Sequence, residues 1–99
     1  MNKEEFLNKL LKTLEEKYST EELMLANVLS DIALTISRKR ISMGMTQSEF
    51  AETIGVDTPM VSRWESGRSR FTLSTLATIA AKLNMDLVNP LRERIEEDK

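Results

Sequence analysis

Residues 46–67, Thr-Gln-Ser-Glu-Phe-Ala-Glu-Thr-Ile-Gly-Val-Asp-Thr-Pro-Met-Val-Ser-Arg-Trp-Glu-Ser-Gly, place two helix-start signals and a turn at fixed offsets. Thr46 followed three residues later by Glu49 is a capping box, in which each side chain satisfies an otherwise unpaired backbone N–H. Phe50, Ala51 and Ile54 mark one apolar face of a short helix, and Gly55 supplies a residue that tolerates the positive φ of a helix end. Asp57 caps a second helix, with Pro59 in its first turn, where a missing N–H costs nothing. Two short helices joined by a tight turn leave little freedom in how this part of the chain packs.

The rest of the chain reads as helix as well. Leu, Glu, Lys, Met and Ala dominate, Gly and Pro fall at breaks, and no stretch alternates with period two. Phe6, Leu7, Leu10, Leu11 and Leu14 recur at helical spacing, which predicts an amphipathic helix over about 3–17. Ser19 and Glu22 form a second capping box, and the helical pattern from there reaches Arg40. Ser30-Asp31 is cap-competent, so the spacing allows one long helix or a break there; Gly44 ends it. Thr72 caps a further helix with Leu73, Leu76, Ala77, Ile79, Ala80 and Leu83 inward, and Asn84 takes the left-handed conformation at its end. Asn89-Pro90 reads as cap plus first helical residue of a last short helix over about 90–97. Met85–Asn89 is left open between helix and extended chain. The organisation is then an N-terminal helical extension (1–31), a central domain (32–89) and a short C-terminal helix or tail (90–99).

Composition excludes several functions. The 99 residues contain no cysteine and no histidine, which removes disulfides, thiolate sites and the commonest general base and zinc ligand. No metal site and no cofactor are expected. Paired glutamates such as Glu15-Glu16 sit on predicted exposed helix faces, with no partner base and no Gly-rich phosphate loop, so an enzyme is disfavoured. No apolar run approaches the roughly 20 residues of a membrane span, and the N-terminus lacks a signal-peptide layout, so a soluble cytoplasmic protein is expected. The net charge of −2 conceals a distribution: −3 over residues 1–31, +3 over 32–82 and −2 over 83–99. The positive charge lies on the segment that holds the paired short helices, as phosphate binding requires.

Two short helices about a tight turn are the plan of a helix-turn-helix, whose second helix enters the DNA major groove. On a helical wheel Val61, Trp64 and Glu65 share one side of that second helix. Pro59 and Arg63 fall opposite, flanked by Ser62 and Ser66, with Thr58 at the exposed N-terminal end. Arg63 is the residue suited to bidentate pairing with guanine O6 and N7. Trp64 is read as a core residue rather than a base-stacking platform, and the six Met as gap-fillers.

These residues resemble the helix-turn-helix family of lambdoid phage repressors and Cro, the Xre family. The likeness spans roughly 32–88 and is carried by residues 38–47, Phe50-Ala51, Ile54-Gly55-Val56 and Val61-Ser62-Arg63-Trp64-Glu65-Ser66-Gly67. It implies an all-α, lambda repressor-like five-helix domain, here with an additional N-terminal amphipathic helix. It further implies a transcriptional regulator, a repressor above all, that binds a palindromic operator in double-stranded DNA as a homodimer. By the same resemblance Thr58, Pro59 and Arg63 read bases, and Ser62, which flanks them on the wheel, is placed with them. Gln47, Ser66, Arg68 and Arg70 hold phosphates, and Arg40 and Glu65 form a structural ion pair. Pro59 departs from members with a polar reader there, and Pro90 interrupts the family's last helix. The extension over 1–31 gives a second likeness, to helix-turn-helix antitoxins, which bind a toxin protein and repress their own operon.

Overall fold

The computed structural model describes residues 1–95, and these form five helices and no strand. They are α1 (Lys3–Lys17), α2 (Thr20–Ser42), α3 (Gln47–Ile54), α4 (Thr58–Glu65) and α5 (Leu73–Lys82). The architecture is all-α and lambda repressor-like, with α1 as the extra N-terminal amphipathic helix.

Local chemistry sets nearly every boundary. Asn2, Ser19, Thr46, Asp57 and Thr72 each cap a helix by accepting a backbone N–H, and Ser19–Glu22 and Thr46–Glu49 complete reciprocal capping boxes. α2 stops where Gly44 takes φ +67°. Gly44 N donates to Ile41 O and Met45 N to Arg40 O, the paired bonds of a Schellman ending. Asn84, at φ +55°, closes α5 with the same pair of bonds, from its own N–H to Ala81 O and from Met85 N to Ala80 O.

α2 is one unbroken helix, which settles the alternative at Ser30-Asp31. Ala33 and Ile36, one turn on, are buried, so continuing the helix keeps both on the core side. Residue 31, the expected junction of extension and domain, lies inside this helix, and no loop separates the two.

One core organises residues 32–83. Ile36, Phe50, Ala51, Ile54, Val61, Trp64, Ile79 and Leu83 form a single buried cluster, with Met45 and Met60 among the side chains filling its edge. The Trp64 and Phe71 rings meet at 6.5 Å and 40°. α1 contributes nothing to this core, since none of its residues is buried. The radius of gyration, 17.0 Å, exceeds the roughly 13 Å of a compact chain of about 100 residues, because α1 and the start of α2 project from the domain.

Two expectations are corrected. Leu73 and Ala77 are exposed rather than inward, Leu73 by 68 %, because the groove that Leu73 lines beside α2 is open. The short helix expected over 90–97 does not form over 90–95. Asn89 Oδ1 accepts the Leu91 N–H, as a cap would, but Leu91 and Ile95 remain exposed. Without an apolar face to bury, a single turn does not offset the cost of nucleation. Glu96 and Glu97 lie outside the described residues.

Candidate nucleic-acid interface

The turn between α3 and α4 is fixed from both ends. The Thr46 N–H donates to Glu49 Oε1 at 3.0 Å, and the Glu49 N–H to Thr46 Oγ1 at 3.1 Å. The Thr46 backbone N–H and then the Thr46 hydroxyl hold the Glu49 carboxyl below its ordinary range. Gly55 then reverses the chain at φ +88°, with its N–H and that of Val56 both donating to Ala51 O. Lys82 Nζ donates to the Ile54 carbonyl, placing a cation at the negative end of α3. Asp57 Oδ1 accepts the Met60 N–H at 2.8 Å and starts α4.

α4 packs on α3 and α2 through Val61 and Trp64, both buried. Pro59, Ser62 and Arg63 are exposed on the opposite face, and Thr58 is half-buried at its start. Among the described residues no side chain of the chain bonds the Arg63 guanidinium. Four residues expected to read bases therefore share one helix and line one side of it.

The residues expected to hold phosphates are less uniform. Arg68 and Arg70 are exposed in the loop after α4, and Arg70 also lines a recess with Tyr18 and Glu22 at the α1–α2 corner. The Ser66 hydroxyl donates to Arg63 O at 2.6 Å and accepts the Arg68 N–H at 3.1 Å, so it shapes the turn. Gln47 is half-buried beside the Glu65 carboxylate.

Arg40 and Glu65 are brought together. Arg40 Nε and Nη2 donate to the two carboxylate oxygens at 2.8 and 2.9 Å, and Nη1 donates to Met45 O at 2.9 Å. Burial by itself pushes the Glu65 carboxyl up. The Arg40 hydrogen bond, the Ser37 hydroxyl, the Arg40 charge and the Gln47 amide outweigh it and hold the group below its ordinary value. Arg40 is raised in turn by the Glu65 hydrogen bond.

Three members of this arrangement were not legible in the sequence: Ser37, the Met45 carbonyl and Lys82. Lys82 lies 28 positions from Ile54, and no short-range pattern marks such a pairing. Its place in the last turn of α5, at the edge of the apolar face, is the available signal.

No helix among the described residues is long and apolar enough to cross a membrane. None of the curated proteins matches the chain. The Helix-turn-helix family model matches residues 36–88, 53 of the 99. That span starts in the second half of α2 and contains the Arg40–Glu65 pair, α3, the Gly55 turn, α4 and α5, so the chain belongs to the lambda repressor-like helix-turn-helix family of DNA-binding proteins.

Proposed function

We propose that the chain is a sequence-specific transcriptional regulator, a repressor, that binds a palindromic operator as a homodimer. α4 enters the major groove, where Thr58, Pro59, Ser62 and Arg63 face base edges. Gln47, Ser66, Arg68 and Arg70 face the flanking phosphates, Ser66 and Gln47 through whatever polar atoms their internal bonds leave available. The observation that carries this reading is the polarity of α4: Val61 and Trp64 are anchored in the core while the opposite face, with an unpartnered Arg63, is exposed. The +3 charge of residues 32–82 supports phosphate attraction, and occupying the operator blocks transcription. Such a dimer presents its two recognition helices to half-sites about 34 Å apart, one helical turn of DNA. Selection of bound duplexes from a random pool tests the reading. An enriched palindrome is expected; recovery of unrelated sequences would overturn it.

A second reading is favoured by α1. Its apolar face is exposed, Phe6 by 57 %, and a protein of the antitoxin kind would cover such a face with its toxin. Deleting residues 1–18 separates the two roles. An antitoxin loses its protein partner, whereas a regulator without one loses at most its dimerisation.

A further inference from the structure

Among the described residues two apolar features have no partner. One is the ridge of α1, about 22 Å long at 1.5 Å per residue, with Phe6, Leu7, Leu10 and Leu11 exposed along one face. The other is a groove of about 430 Å³ between α2, α5 and the segment after α5, lined by Val28, Ile32, Leu73, Leu76, Leu87 and Val88. Leu73, Leu87 and Val88 are exposed there.

Their charges match. On a helical wheel Lys3 and Lys17 lie on the apolar side of α1, one at each end of the leucine run. The groove carries Asp31 and Asp86 and no basic residue. We infer that the groove of one protomer receives α1 of a second copy of this chain, reciprocally, and that this contact forms the homodimer proposed above. The inference rests on that reading of the protein as a dimer.

The same chain cannot close its own groove. Tyr18-Ser19 is the whole connection between α1 and α2, and Leu11 and Leu14 of α1 share an open recess with Leu23, Asn27 and Ser30 of α2. The groove opens on the Val28, Asp31, Ile32 and Thr35 side. Direct α1–α1 pairing is disfavoured as well. It would set Lys3 against Lys17 if antiparallel, or each lysine against its own copy if parallel, on a seam otherwise apolar. A reciprocal contact engages both features on each protomer, which approaches the ~800 Å² per partner of a stable interface better than one helix face does.

The test is complementation between charge-reversed full-length chains. Lys3→Glu/Lys17→Glu gives an acidic ridge and an acidic groove, and Asp31→Lys/Asp86→Lys a basic ridge and a basic groove. Wild type should sediment at twice the 11.3 kDa of one chain. Each reversed chain alone should dimerise at least tenfold more weakly, and mixing the two should restore the dimer as a mixed species. Because the chain has no cysteine, Leu10→Cys and Leu73→Cys can be placed singly at exposed positions. A short bismaleimide should link the two variants to each other, and Leu10→Cys chains not to themselves. Leu10–Leu10 linkage, or a dimer indifferent to the charge reversals, overturns the groove contact while leaving a dimeric regulator intact. A wild-type monomer overturns both, as does α1 bound only to a different protein.

Discussion

Arg40 and Glu65, 25 positions apart, are joined by two parallel hydrogen bonds of 2.8 and 2.9 Å that fasten the end of α2 to the end of α4. The two side chains are 16 % and 7 % exposed, so the pair is largely withdrawn from water without being dry. Removing one partner strands the other. Arg40→Ala should cost about 3 kcal/mol, the lower end for a broken buried pair, measured by denaturant unfolding. Replacing both with apolar residues of similar volume should cost less than either single change.

Acid should weaken the fold through two carboxylates. Glu65 and Glu49 both titrate below the ordinary value of 4.5 in the folded chain. Their stabilisation is complete above that value and is lost as pH falls through the folded pKa values. Arg40 is shifted upward by its bond to Glu65, so its contribution does not vary over the working range. Unfolding free energy measured against pH should be flat above about 6 and fall below about 4.5. In Glu65→Gln the fall should be shallower.

Gly55 tests the turn between α3 and α4. A Cβ there would meet Lys82 Nζ at 3.5 Å, an ordinary contact, so space is not the constraint. The constraint is φ +88°. Gly55→Ala should cost about 1–2 kcal/mol, and Gly55→Asn should cost less, because asparagine visits this region more readily. A larger loss for Gly55→Asn than for Gly55→Ala in thermal unfolding would mean that crowding rather than backbone conformation is what the glycine relieves.

Reading and holding can be separated on the two sides of Gly67. Arg63 projects from the exposed face of α4, while Arg68 lies in the loop beyond it. Phosphate contacts position a protein and base contacts specify sequence. Arg63→Ala should cost ~1–3 kcal/mol on the selected operator and relax preference at one base pair. Arg68→Ala should weaken all duplexes alike and lower the slope of log affinity against log salt by about one. Binding of operator variants, each titrated with salt, distinguishes them. An Arg63→Ala loss equal on every variant would remove Arg63 from the reading face.

Features that depend on three or four neighbouring residues were legible in the sequence. The capping bonds at Ser19, Thr46, Asp57 and Thr72, and the left-handed Asn84, are local chemistry. The inward Val61 and Trp64 follow from one helical wheel. Features that depend on distant segments were not. Whether α2 breaks at Ser30 is decided by the core that Ala33 and Ile36 enter. Leu73 and Ala77 fit an apolar pattern, yet they face solvent because none of the described segments lies over them. The cap at Asn89 exists, but its helix has nothing to pack on over 90–95. Within the site, the exposure of Pro59, Ser62 and Arg63 was readable, whereas the second bonds of Ser66 and the Lys82–Ile54 contact required the folded chain.

The unbroken run of α2 from Thr20 to Ser42 makes the orientation of α1 relative to α4 a matter of helical phase. Each residue of α2 turns what precedes it by about 100° and lifts it 1.5 Å. One alanine inserted near Ser30 would therefore swing α1 a quarter-turn around the domain, while four would return it to within about 40° of its azimuth, roughly 6 Å further out. The rotational setting between the two recognition helices of a dimer built through α1 is thus written in the residue count of one rod, and half-site spacing would shift in steps rather than continuously as that count changes.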